Sequence, residues 1–172
     1  PTLDGIRRLC QRESIQAPQV REIEIRVHPL VLELTGKRQP RTALEGKFSI
    51  YFCAAIALLE GNARESQFTD RNVRRGDVLA LMDKVNPVID PGLKESQAEV
   101  RVRTIDGLEL VERVEAATGT PENRLSDDEL VDKVMDLVLP VISKDKAEQM
   151  VEEVGMLEKA ENLSRLITLV TV

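Results

Sequence analysis

The sequence predicts an α+β fold, a two-layer sandwich in which a mostly antiparallel sheet is backed by a long buried helix and followed by C-terminal helices. Three observations carry this. Residues 48–59 are apolar except for Ser49 and Tyr51, and a helix that is apolar nearly all round is buried on more than one side. Two alternating runs, 98–105 and 108–114, flank Asp106-Gly107, the strongest short-range hairpin signal. Further strand-like runs near 20–32 and 85–89, with helical periods between, place helices on one face of the sheet.

Each element has a local reason. Residues 3–12 put Leu3, Ile6, Leu9 and Cys10 on one helical face, with Gly5 as a weak point. From 20 to 27, Val20, Ile23, Ile25 and Val27 alternate with charged residues, as in a half-buried strand. His28-Pro29 interrupts it, and Leu30-Val31-Leu32 is expected to extend it as an edge strand, where Pro is tolerated. Residues 36–41 form a basic loop. Thr42 and Glu45 make a capping box that opens a helix over 43–60, with Gly46 and Lys47 in its first turn and Gly61 just past its end. A loop through Phe68-Thr69-Asp70 leads to a helix over 77–84 that turns Val78, Leu81 and Met82 inward, and a short strand at 85–89 is closed by Asp90-Pro91-Gly92. After the hairpin, Gly119-Thr120-Pro121 opens a loop, and Ser126 and Glu129 form a second capping box for a helix that Pro140 stops. Residues 144–172 are helical by period and end in an apolar stretch too apolar to hang in water. It is expected to pack on this domain or on protein absent from the chain. The organisation read from this is a small α+β domain over 1–139 and a helical tail over 140–172.

Composition narrows the function. At 172 residues, with 42% hydrophobic and 31% charged side chains, the chain is an ordinary globular one. It has no run of about 18 apolar residues to cross a membrane, and no signal peptide is visible. Pro1 in place of Met points to a piece of something longer. Residues 1–41 carry 8 basic against 5 acidic side chains, 42–105 carry 9 and 9, and 106–172 carry 7 and 16. No dense basic stripe exists to neutralise phosphates, and at 2% aromatics there is no stacking platform, so nucleic acid is not an expected partner. Cys10 and Cys53 lie far apart in apolar patterns and read as buried free thiols, which fits a cytoplasmic location. His28 is the sole histidine, too little for the usual zinc sites or a Ser-His-Asp triad. Taken alone, the chain is expected to be catalytically silent.

Four segments in order resemble a known family. Leu44-Glu45-Gly46-Lys47-Phe48-Ser49-Ile50 runs into an apolar helix ending Leu58-Leu59-Glu60-Gly61. Asp83-Lys84-Val85 follows the next helix, Thr104-Ile105-Asp106-Gly107 occupies the hairpin, and Gly119-Thr120-Pro121-Glu122-Asn123-Arg124-Leu125-Ser126 comes last, with Arg124 where Pro is usual. Together they resemble the 2-methylcitrate dehydratase (MmgE/PrpD) family over nearly the whole chain. The resemblance implies a two-domain enzyme, of which this chain is the smaller α+β domain with its tail and the N-terminal, mostly helical domain is missing. Family activities are dehydration, decarboxylation and epimerisation of small polycarboxylates, by proton transfer at a carbon beside a carboxylate and without an obligatory metal or organic cofactor. The family's Lys-and-His motif would fall upstream of Pro1, so the acid/base residues are expected outside this chain. Expected partners are a small polycarboxylate substrate, the missing helical domain and further copies in a homo-oligomer.

The substrate-binding candidates are Lys47 and Tyr51, which share a face of a continuous helix. A cation in a helix's first turn opposes the macrodipole, and that is understandable if an anion visits the same helix end, with Gly46 leaving the backbone open to it. Ser49 projects elsewhere, and its hydroxyl is expected to bond its own helix. His28 reads as a strand-end side chain. Arg38 and Arg41, on the loop before the helix, either attract an anion or are simply solvated. Two functions follow: the small domain of a cofactor-independent lyase, foremost a hydro-lyase, or isomerase; alternatively, a non-catalytic binding or oligomerisation module of the same fold.

Overall fold

Four strands, β1 (Val20–Val27), β2 (Val85–Ile89), β3 (Ala98–Thr104) and β4 (Glu109–Val114), form one sheet in the order β2-β1-β3-β4. The computed structural model describes residues 1–171. The β1–β3 and β3–β4 pairings are antiparallel and β1–β2 is parallel, with Ile23 opposite Val85 and Ile25 opposite Val100. One face is apolar: Ile23, Ile25, Val27 and Val100 are completely buried. The other is a charged ladder, in which Arg103 meets Glu22 and Glu109, each at 2.7 Å, Arg26 meets Glu24 at 2.9 Å and Arg101 meets Glu99 at 3.2 Å. This alternation is what an α+β sandwich with one covered sheet face requires.

Helix α1 (Thr2–Glu13) lies against β3 and β4 and buries Ile6 and Leu9. Gly5 lets it approach closely, because a Cβ there would stand 2.7 Å from Val100 Cγ2. The residue that weakens the helix in isolation is thus the one that seats it. Asp106-Gly107 makes the hairpin turn, with Gly107 at φ 91°, a left-handed conformation open to glycine.

The predicted edge strand at 30–32 is instead a helix, α2 (Pro29–Thr35). Pro29 occupies its first turn, where the missing N–H costs nothing, and His28 is its N-cap, with Nδ1 accepting from the Leu30 N–H at 3.2 Å. His28 is therefore a cap and not a strand-end side chain. The predicted continuous helix over 43–60 is also broken, into α3 (Ala43–Lys47) and α4 (Ile50–Glu60). Ser49 is extended at φ −123°, ψ 104°, and its hydroxyl accepts from the Phe52 N–H at 3.1 Å. A serine hydroxyl offers the backbone this alternative to an unbroken helix, and it starts a new one. The long buried helix is thus the eleven-residue α4, whose Phe52, Ala54, Ala55, Ile56 and Ala57 are fully buried.

Between α4 and β2 the chain forms a short α5 (Asp70–Val73) and α6 (Gly76–Met82). Arg75 joins them to the end of α4 by pairing with Glu60 and, at 2.9 Å, with Asp77. These elements belong to a first compact unit, Pro1–Arg124; a second, Leu125–Val172, begins just before α7 (Asp127–Val138). The Ser126/Glu129 capping box opens α7, and α8 (Lys144–Gly155) and α9 (Ser164–Val170) follow. The segment between α8 and α9 holds one 3-10 turn, Leu157–Lys159, and Val172 lies outside the described residues. Apolar side chains of α7 and α8, among them Leu130, Val134, Met150 and Val154, line a groove of about 440 Å³. Among the described residues no helix is long and apolar enough to cross a membrane.

Candidate functional site

The break between α3 and α4 organises the candidate site. Thr42 caps α3, its hydroxyl accepting from the Glu45 N–H at 3.2 Å. Glu45 reaches back to the Arg41 N–H at 2.6 Å and pairs with Lys37 at 2.7 Å. The Lys37 bond, then the Arg41 amide, holds the Glu45 carboxyl below its ordinary range. Gly46 is a packing residue: a Cβ there would lie 3.2 Å from both Phe52 Cδ1 and Val73 Cγ2. It does not serve to open the backbone to a ligand.

Lys47 is the last residue of α3 and not part of the first turn of a longer helix. A cation there is favourable to its helix, so the expected conflict with the macrodipole does not exist. Its Nζ lies 2.7 and 2.8 Å from the two carboxylate oxygens of Glu65 and 5.8 Å over the Phe68 ring. Ser49 is completely buried and caps α4, where the sequence predicts a hydroxyl bonded within a continuous helix.

Tyr51 sits half-buried in the first turn of α4 and lines a cleft of about 480 Å³. Arg38, from the loop before α3, lies 5.7 Å over its ring. Arg21 and Glu22 of β1 and Asp83 and Lys84 before β2 complete the charged part of the wall. Lys47 lies outside this cleft, so the break separates two side chains that a continuous helix would have put on one face. Arg41 also lies outside it, and its carbonyl accepts from Arg74 Nη2 at 3.2 Å.

Sequence reasoning missed Arg21 and Lys84. The pairing of β1 with β3 shifts between Val20 and Glu22, leaving Arg21 as the extra residue of a bulge. A signal was present: buried Val20 and Ile23 are three positions apart where a regular strand needs two. Lys84 Nζ donates to the Val20 carbonyl at 2.6 Å, and the Lys84 carbonyl accepts from the Ile23 N–H at 2.9 Å. The residue thus braces the bulge from both sides.

The thiols are quiet. Burial pushes Cys53 up to about 12 and also raises Cys10, away from the thiolate form that reacts. Both are unpaired. Among the described residues no three His, Cys, Asp or Glu side chains come together where they could hold a metal ion.

The chain matches the family model described as the MmgE/PrpD C-terminal domain over residues 1–159. It is also similar to the cis-aconitate decarboxylase of Mus musculus, at 24% identity over 163 residues, which are 92% of this chain and 33% of that protein. The chain therefore spans about a third of the length of the curated relative it matches. The matched region takes in all four strands, the α3–α4 break and the Tyr51 cleft. The chain belongs to the MmgE/PrpD C-terminal domain family.

Proposed function

We propose that this chain is the small domain of a lyase or isomerase that moves a proton on the carbon beside a carboxylate of a small polycarboxylate. The observation that carries this reading is the likeness, along 92% of the chain, to a decarboxylase named for cis-aconitate, a tricarboxylate. Removing water or carbon dioxide beside a carboxylate builds negative charge there, which asks for a positioned base and for fixed cations. His28 caps α2; the base is proposed to come from a helical partner domain, as the family resemblance implies, and this chain to supply cations and shape. Hydro-lyase chemistry, loss of a proton beside the carboxylate followed by loss of hydroxide from the next carbon, is the first form of the reading. Epimerisation would return the proton to the opposite face, and decarboxylation would break a carbon–carboxylate bond, release carbon dioxide and take up a proton in its place. The two unpaired cysteines agree with a cytoplasmic setting.

Tyr51 and Lys47 are the proposed substrate contacts. Tyr51 already lines a cleft. Lys47 must exchange Glu65 for a substrate carboxylate, and the exchange is cheap. The pair is exposed, 38% and 54% at the two side chains, and exposed ion pairs contribute about 0–1 kcal/mol. In an enzyme carrying both domains, Lys47→Met is expected to lower kcat/KM by about 10- to 1000-fold, or roughly 1.4–4 kcal/mol of transition-state binding, with the fold intact. Near-normal turnover would remove Lys47 from the site. Turnover of 2-methylcitrate, citrate or cis-aconitate by this chain alone would overturn the division of labour.

A second reading, a non-catalytic binding or oligomerisation module, is favoured by one observation: Ile167 and Val170 on α9 are 59% and 49% exposed. Sedimentation showing a monomer with no dye-binding apolar patch would count against it.

A further inference from the structure

We propose that Arg21 and Arg38 form a two-arginine clamp for a carboxylate group of a small polycarboxylate, in the cleft beside Tyr51. The inference rests on the reading of the substrate class above and deepens it by assigning the residues that hold one end of that molecule.

Position sets these two apart from the other arginines that have no ion pair, because both line the same cleft. On the open face of the sheet, Arg26, Arg101 and Arg103 each meet a glutamate within 3.2 Å. Arg21 and Arg38 line one cleft, and among the described residues neither has a carboxylate partner. Arg21 and Arg38 are exposed, so their mutual repulsion and that of Lys84 are screened by solvent, and a bound anion would turn the cluster from weakly repulsive to attractive. The wall holds two acids, Asp83 and Glu22, the latter paired with Arg103 at 2.7 Å, against the three cations Arg21, Arg38 and Lys84. The cleft is therefore electropositive.

Its construction is specific. The bulge gives β1 one residue beyond what the ladder can pair, and that residue is Arg21. Bulges re-aim side chains in this way beside sites. Lys84 fixes the backbone on both sides of it, through the Val20 carbonyl and the Ile23 N–H. The Arg38 guanidinium carbon lies 5.7 Å from the Tyr51 ring centroid, a cation–π contact that keeps the guanidinium beside the cleft. Guanidinium edges match carboxylates in a two-point fork. The volume, about 480 Å³, falls among small-molecule sites of about 300–1,000 Å³.

The test titrates the chain with citrate, inorganic phosphate and chloride at constant ionic strength, followed by amide chemical shifts in two-dimensional NMR. Citrate is expected to shift the amides of Arg21, Arg38 and Asn86 saturably. Arg21→Gln and Arg38→Gln should each weaken that binding by about tenfold or more, roughly 1.4 kcal/mol, while Arg113→Gln on β4 keeps the parental affinity. Arg21→Lys retains charge without the fork and should fall between Arg21 and Arg21→Gln. Unchanged shifts elsewhere report that each variant is folded. Chloride reproducing the shifts, phosphate binding more tightly than citrate, or glutamine variants with parental affinity would each overturn the clamp. Citrate saturating around Lys47 instead would overturn the clamp and leave the polycarboxylate reading standing. Citrate held at the clamp, with no polycarboxylate turned over by the two-domain enzyme, would support the clamp and sink that reading.

Discussion

Replacing Ser49 with Ala removes a hydrogen-bond acceptor from a place water does not reach. The hydroxyl is fully buried and takes the Phe52 N–H at 3.1 Å, at the start of the helix that fills the core of the first unit. Loss of an N-cap costs about 0.5–2 kcal/mol, and a buried amide left without a partner costs about 1–3 kcal/mol. The two figures describe the same bond and are not summed. Full burial of the position places the expected loss near 2 kcal/mol, or roughly 6–10 °C in Tm for a unit of this size. Tyr51 is the sole tyrosine and there is no tryptophan, so its fluorescence during urea unfolding reports on this helix start. Ser49→Thr keeps the oxygen and should lose less than half as much. A Ser49→Ala chain within about 0.5 kcal/mol of the parent would refute the capping account and point to a continuous helix through residue 49.

Three further outcomes are expected. Gly5→Ala should destabilise by about 1–2 kcal/mol, because overpacking against Val100 outweighs the roughly 1 kcal/mol gained in helix propensity. Adding Val100→Ala should recover part of the loss, and strict additivity in denaturant titrations would dismiss the contact. Cys53, pushed up to about 12 by burial, has about one thiolate in ten thousand at pH 8; a disulfide reagent should label it at least about 100-fold more slowly in the folded chain than in urea. Equal rates would show that the helix opens readily. Arg103 first, for Glu109, and the Thr104 hydroxyl first, for Asp106, hold these hairpin carboxyls below their ordinary values of 4.5 and 3.8. Lowered carboxyls add stability that is present above the unfolded value and lost as pH falls through the folded one. Amide protection in the hairpin should therefore decline below about pH 4, and a hairpin unchanged at pH 2 would contradict this.

The sheet was legible because its signals are local: Asp106-Gly107 fixes one turn, and alternation fixes the faces of β1 and β3. The helix break was not, because Ser49 is ambiguous in sequence. The same hydroxyl can bond back within a helix or cap a new one, and the choice falls to the packing of Phe52 against Gly46 and Val73. That single ambiguity carried the site readings with it, since Lys47 and Tyr51 share a face only if the helix is continuous. His28-Pro29 was misread for a related reason: proline fits an edge strand or a helix's first turn equally well, and only the cap made by His28 decides. The bulge at Arg21 left a trace in the spacing of Val20 and Ile23, small enough to pass as alternation.

The strand order β2-β1-β3-β4 has a consequence for how the first unit acquires its structure. β1 is the earliest strand in the chain and an inner one, yet Ile23 pairs with Val85 on one side and with Val102 on the other. Neither partner exists until five helices have followed it. The hairpin of β3 and β4 closes on its own in about 1–10 μs, while seating β1 demands two long loop closures at once, and such non-local contacts slow folding. During synthesis β1 therefore leaves the ribosome with both edges bare, and they stay bare until β2 and β3 have been made. The alternating charges of Glu22, Glu24 and Arg26 that later line the open face serve in that interval as protection, keeping an unpaired strand from pairing with another chain.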